Sequence, residues 1–273
     1  MAQGGRALAW LDLDNRPEVM TLSGIEWKEV PGGKFKYGHK DEEDNKPRTL
    51  TLPTFYISRF PITQAQFQSF LDDPAGADDP RWFEGLTNDE DDRRIEEPWF
   101  KFANHPRDNI SWIQAMAFCR WWSWRLGTTY DLDKVAQWAV RLPTEFEWER
   151  AARGKNGLVY PYGNDYAPEK GNTDDTGIGQ TSAVGIFPNG ASPDGVEEMS
   201  GNVLEWCLSH YDNPALNPSD EDLRTGDVRR VLRGGSWFGS HLGARAVYRF
   251  NFHPAYRNLD SGFRLVVLHP PSS

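Results

Sequence analysis

Complete helix punctuation occurs at three places in this sequence, and all three lie before residue 155. Thr63 stands three residues ahead of Gln66 at the head of TQAQFQSFL, which sets Phe67, Phe70 and Leu71 on one face. A hydroxyl at the N-cap and an amide or acid three residues on each satisfy an N–H that the first helical turn leaves without a partner. Thr144 and Glu147 repeat the device in LPTEFEWERAARG, and Gly154 supplies the stop. Ser111 caps WIQAMAFCRWWSWRL, which closes at Gly127. Apolar side chains run almost all round that segment, so it is expected to be buried. Few, short helices of this kind leave the remainder to strands and turns.

The strand signals begin at Ile25: IEWKEV, a PGG turn and KFKYG read as a short hairpin, and TLTLPTFYISRF continues the pattern. After Gly154 regular structure thins to short apolar pieces between turn residues, until VRRVLRGGSWFG and SGFRLVVLH give two further strand candidates. Gly and Pro supply 25 and 19 residues and Trp 12, which suits a loop-rich fold with large rings in its core. Residues 1–24 lack sustained periodicity and read as an N-terminal arm. Residues 73–107 are acidic, rich in Pro and Asp, and read as an insertion. No linker separates two cores, so a single domain over 25–270 is expected.

Net charge is −10, which argues against unaided binding to nucleic acid or an anionic membrane. A noticeable share of the acidity sits in one run, Asp89 to Glu97, which reads as a solvated loop. Cys119 and Cys207 belong to no metal pattern, sit among aromatics, and read as small core hydrophobes rather than as a disulfide. No signal-peptide pattern and no bilayer-length apolar run is evident, so a cytoplasmic location is the default expectation. Glu145, Glu147 and Glu149 alternate in a helix's first turns, where they serve the cap and the dipole rather than carboxylate chemistry. The glycine pair of LRGGSW lacks the continuation of a phosphate loop.

Seven pieces, FYISRFPITQAQF, NISWIQAMAFCRWWS, RLPTEFEWERAARG, YPYGN, MSGNVLEW, RVLRGGSW and GFRL, resemble in order and spacing the formylglycine-generating-enzyme-like (sulfatase-modifying-factor) family over about residues 25–268. The resemblance implies an α+β, C-type-lectin-like domain with two helices, small twisted antiparallel sheets and much irregular loop. Enzymes of that family oxidise a substrate cysteine at a copper ion held by two cysteines between the RGGS and GFR motifs. Here Trp237 to Ser261 contains no cysteine, and Cys207 lies on the other side of RGGSW. Soft thiolates hold Cu(I), so the oxidase reading loses its ligands. The sulfoxide-synthase branch needs a histidine cluster; the six histidines here are scattered, with no HxxxH pair.

The stretch from RVLRGGSW to GFRLV more specifically resembles variable proteins of diversity-generating retroelements. In those proteins adenine-rich codons in this interval are mutagenised. An AAC codon can become Phe, Tyr, His, Asp, Ser, Leu or Gly, but not Lys, Glu, Gln, Met or Trp. Phe238–Ser261 contains none of the latter five. Phe238, His241, Tyr248, Phe250, Phe252, His253 and Tyr256 offer ring area, with Ser240, Asn251, Asn258, Leu259 and Asp260 beside them, a mixture that paratopes use. Arg245, Ala246, Arg249, Pro254 and Arg257 form a regular frame among them, the arginines expected to brace the loop backbone. Alternation in RFNFH fits a buried strand edge equally well. The expected function is a non-enzymatic protein that binds a protein ligand through about residues 238–261. An enzyme of the same fold, such as the oxidase, and a fixed-ligand sensor or interaction domain are the alternatives. Oligomeric state is left open.

The resemblance also implies structural Ca²⁺ in the loop-rich half, with no catalytic cofactor. One site would draw on Glu198, Glu205 and the carbonyls of Gly201 and Val203. The other would draw on Asn172, Thr173, Asp175 or Thr176, and the Ile178 carbonyl. Such mixed oxygen donors suit Ca²⁺. Glu205 reads equally as a structural acid beside Trp206.

Overall fold

A computed structural model describes residues 1–11, 13–42, 45–224 and 228–269; the expected domain end at 270 lies just outside them. The N-terminal segment carries helices α1 (Ala2–Trp10) and α2 (Pro17–Met20). α2 is held down by Val19, which is fully buried and whose carbonyl accepts from Thr63 Oγ1 at 2.6 Å.

The first strands are β1 (Trp27–Val30), β2 (Gly33–Tyr37), β3 (Arg48–Leu52) and β4 (Phe55–Ser58). The sequence predicted β1 and β2 as a hairpin across PGG, and the structure corrects this. β1 pairs with β4 and β2 with β3, in one shared register from Trp27 opposite Ser58 to Tyr37 opposite Arg48. PGG is a kink in a long ribbon rather than its turn. Gly32 donates to Thr54 Oγ1, and a Cβ at Gly32 would come within 2.6 Å of the Thr54 nitrogen. The close crossing of the two kinks explains the glycine.

Helices α3 (Gln64–Asp72), α5 (Trp112–Arg125) and α6 (Glu145–Arg153) stand where the caps placed them, with a short α4 (Glu90–Arg93) inside the acidic insertion. The Thr63–Gln66 and Thr144–Glu147 boxes are reciprocal, and Ser111 forms a third with Gln114, a partner the sequence reading had not paired with it. Every residue of α6 is buried although it holds three glutamates and two arginines.

The remaining strands are β5 (Leu204–His210), β6 (Arg230–Arg233), β7 (Phe250–Phe252), β8 (Ser261–Phe263) and β9 (Val266–Val267). They build a four-stranded sheet in the order β7-β6-β5-β8, while β9 joins β1 and β4. β5 and β8 run parallel, a departure from the expected antiparallel sheets. Side chains alternate across a strand. Accordingly Leu204, Trp206 and Leu208 enter the core around α3 and α5, while Cys207 enters the one around α6. Trp82, Phe83 and Leu86 of the acidic segment are fully buried in the α5 core, so its apolar residues anchor it while Asp89–Asp91 face solvent. Cys119 and Cys207 are unpaired and fully buried. No helix among the described residues is long and apolar enough to cross a membrane.

Candidate binding face

The interval between GGSW and GFR leaves the sheet at β6, loops outward and returns through edge strand β7 to β8. Its departure depends on Gly235, whose φ is +69° and whose Cβ, if present, would lie 2.8 Å from the Ala244 Cα. The loop backbone therefore packs directly on the glycine.

Within residues 238–261 the side chains divide into a frame and a face. Ala244, Ala246, Val247 and Pro254 are buried. Arg249 donates to Glu145 at 2.7 Å and to the Tyr211 carbonyl at 2.7 Å. Arg245 pairs with Glu42 at 2.7 Å, and Arg257 donates to the Arg94 carbonyl at 2.6 Å. The Ile113 and Asn109 amides donate to the carbonyls of Pro254 and Asn258.

Against that frame Phe238 is 71% exposed and Tyr256 36%, with Ser240 and His253 also exposed. Half-buried are His241, Tyr248, Phe250, Asn251, Phe252, Asn258 and Leu259. Tyr248 and Phe250 lie 4.6 Å apart, and Phe252 stacks on Tyr256 at 4.0 Å. His241 stacks on Tyr166 at 4.7 Å and reaches Asp175 at 3.2 Å. Asn251 accepts from Arg229. Asp260 is a correction: it is 93% buried (7% exposed) and accepts from Ser236 Oγ at 2.8 Å, with burial raising its pKa. It closes the end of the interval and offers nothing outward. Asn258 Oδ1 accepts from the Leu259 amide next to it.

Two exposed residues were missed. Leu242 is 54% exposed in the same interval, and its place between Gly239 and Gly243 was the available signal. Trp99, from the acidic segment, is 63% exposed, and its neighbour Phe100 packs edge-on to Trp237, which in turn contacts Phe238. No periodicity connects residue 99 to residue 238, so nothing in the sequence joined them.

Several side chains assigned to calcium already have partners within the protein. Both Glu205 oxygens take the Arg264 fork, at 2.6 and 2.7 Å, and one also accepts from Trp148 Nε1 at 2.6 Å. Its N–H donors are Arg264 and Trp148. Glu198, with a left-handed φ of 59°, accepts from the Gly185 amide and from Asn202 Nδ2. Gly201 donates to the Gly234 carbonyl, and Asn202, just before Val203, donates to that of Asn172. Thr176 donates to Asn172 Oδ1 and to the Thr173 carbonyl, and the Ile178 amide donates to Thr176. Among the described residues no three His, Cys, Asp or Glu side chains converge as a metal cluster. The calcium expectation therefore rests on Glu198 and on main-chain carbonyls, since the charge of Glu205 is already met.

The sequence profile of the sulfatase-modifying factor enzyme 1-like domain matches residues 21–268. The serine/threonine-protein kinase Pkn1 of Chlamydia trachomatis is 32% identical over 249 residues, 86% of this chain and 37% of that one. The hercynine oxygenase of Mycolicibacterium smegmatis is 31% identical over 279 residues, 92% of this chain and 62% of that one. This chain thus spans less than two thirds of either protein. The inactive C-alpha-formylglycine-generating enzyme 2 of Bos taurus is 28% identical, with 93% and 90% covered. Among solved structures, Treponema denticola variable protein 1 superposes with a TM-score of 0.69 at 24% identity, over 90% of this chain and 95% of that one. That likeness shows the fold: α+β, C-type-lectin-like, of the formylglycine-generating type.

Proposed function

The chain belongs to the sulfatase-modifying factor enzyme 1-like family, and from that premise we propose that it is a non-enzymatic ligand-binding protein. It displays a hypervariable face, about residues 238–261, on a C-type-lectin scaffold, as the variable proteins of diversity-generating retroelements do. The observation that carries this reading is the division within one short interval. Arg, Ala and Pro positions are buried or tied to the scaffold, while Phe238, Ser240, His253 and Tyr256 stand outward. Exposed rings beside short polar groups suit a protein ligand.

The family includes enzymes, and the hercynine oxygenase match favours a second, enzymatic reading. Thiol chemistry is the weaker case here. Neither cysteine lies in the interval, and burial raises the pKa of both Cys119 and Cys207.

The test is a display library. Codons 238, 240, 241, 248, 250–253 and 256 are randomised in one pool, and 244–246, 249 and 254 in another. The first pool should stay folded and yield binders to unrelated proteins, while the second should lose display. Equal loss of folding in both would end the proposal, as would copper-dependent turnover of a cysteine peptide by the purified protein.

A further inference from the structure

Positive side chains gather around the β2–β3 ribbon and the end of α6, in a chain whose net charge is −10. Two clefts of about 470 and 390 Å³ open beside the β2–β3 ribbon and share Arg153 and Asn156 in their walls. Volumes of this size suit small ligands. Among the described residues the larger is lined by Lys36, Lys40, Arg48 and Arg153 with His39, which pairs with Asp41 at 3.4 Å, and by no carboxylate. The smaller adds Lys34 and Lys155; its Asp194 is paired with Arg150 at 2.5 Å.

Folding, not sequence proximity, assembles this cluster. Lys34 and Lys36 project from the exposed side of β2, and the α6–loop junction crosses them, the Lys36 amide donating to the Lys155 carbonyl at 3.2 Å. A Cβ at Gly157 would lie 3.2 Å from the Lys36 Cβ, so the loop sits directly against the lysine. The Arg48 guanidinium is held over the rings of Tyr37 and Phe146, at 4.9 and 5.5 Å. Arg153 is spent on Glu149 and on three carbonyls, which makes it wall rather than ligand. Lys34, Lys36, Lys40, Arg48 and Lys155 are exposed and form no ion pair among the described residues, whereas Arg141, Arg150, Arg153, Arg233 and Arg264 are each matched to an acid.

We propose that these adjoining clefts bind a small ligand carrying two or more phosphate groups. Lysine ammoniums act as point charges on phosphate oxygens, and a compact multivalent anion neutralises several at once. A long polyanion would run past the clefts onto the acidic remainder of the surface, and Tyr37 in the larger cleft is buried with Arg48 over its ring, so it offers bases no stacking face. The site is separate from residues 238–261 and does not depend on the function proposed for them.

Isothermal titration calorimetry at low salt with inorganic tripolyphosphate tests it, with orthophosphate as the monovalent-site comparison. Saturable tripolyphosphate binding is expected, weaker for orthophosphate. The Lys36→Glu/Lys155→Glu variant should weaken it by about tenfold or more, and added salt should do likewise. Lys36→Gln/Lys155→Gln should give a smaller loss, Lys101→Glu and Phe238→Ser none. Flotation with phosphatidylcholine/phosphatidylserine vesicles separates a lipid headgroup from a free ligand: no flotation, or flotation competed by tripolyphosphate, fits the site. The proposal is overturned if tripolyphosphate does not bind, if it binds no better than orthophosphate, if the folded charge-reversal variant binds equally, or if vesicles float uncompeted.

Discussion

Arg249 Nε donates to Glu145 at 2.7 Å, joining the proposed binding segment to a helix that is buried along its whole length. Their side chains are 7% and 0% exposed. Removing one partner of a buried pair leaves an uncompensated charge, which costs more than the pair itself contributes. Glu145 would keep the Tyr37 hydroxyl at 3.0 Å but lose its cation. Arg249→Leu should therefore lower the unfolding free energy by about 3 kcal/mol in urea titrations. The Glu145→Gln/Arg249→Leu double variant should lose clearly less than the two single losses added together, because the residues are in contact. Additive losses would show that Arg249 does not act through Glu145.

The face should behave in the opposite way. Phe238→Ser removes a ring that is 71% exposed, so it should change stability by no more than about 0.5 kcal/mol, whereas Tyr256→Ser also removes the stack on Phe252 and should cost about 1 kcal/mol. Binding to a ligand selected against this chain should fall by about tenfold or more at such an anchor. A large loss of stability at Phe238 would mean that the ring belongs to the core.

The caps and the family motifs made α3, α5, α6 and the C-terminal strands readable, because capping and glycine stops are local devices; α1, as long as α3, has no side-chain cap and was read only as part of an arm. Pairing of β1 with β4 was not readable, since PGG looks like a turn until Thr54 is known to cross it. Asp260 looked like its polar neighbours in the interval, and only the packing of Ser236 against it shows that it points inward. The glutamates of α6 were rightly assigned to a cap at Glu147, but Glu145 and Glu149 also hold Arg249 and Arg233, partners far away in the chain.

Glu205 gives a prediction that separates ion pairing from metal ligation. Its carboxylate meets the Arg264 fork, both side chains being fully buried. Glu205→Gln should lower the melting temperature by several degrees, the effect of losing about 3 kcal/mol in a buried pair. The loss should be the same in calcium and in EGTA. A loss seen in calcium alone would make Glu205 a metal ligand.

Stability should also depend on pH through Glu221. Burial raises its pKa from 4.5 to about 7, only partly offset by the amides of Ala215 and His210 and by Arg230 at 3.9 Å. The folded state therefore holds this proton more tightly than the unfolded chain. Its contribution is fully present below pH 4.5 and is lost as pH rises through about 7. Asp108, raised to about 6 by burial, acts in the same direction. Glu221→Gln should flatten the fall in unfolding free energy over this window by on the order of 1–3 kcal/mol. An unchanged slope would assign the dependence to other groups.

Two glycines with nearly the same φ separate strain from contact. Gly177 and Gly235 have φ of +66° and +69°, a region that side chains with a Cβ rarely adopt. A Cβ at Gly177 meets nothing within 4 Å, so Gly177→Ala should cost only the conformational strain, about 1 kcal/mol. At Gly235 the same atom would come within 2.8–2.9 Å of Ala244 and Gly243 backbone, which cannot rotate away. Gly235→Ala should cost the same strain plus about 1–3 kcal/mol of overpacking, and it should displace the loop that carries the face. Urea denaturation of both variants, with ligand binding measured on the folded fraction, checks the comparison. Gly177→Ala should bind as the parent does, and Gly235→Ala should bind more weakly although every face residue is unchanged. Equal stabilities, or full binding by folded Gly235→Ala, would show that the contact with Ala244 does not position the segment.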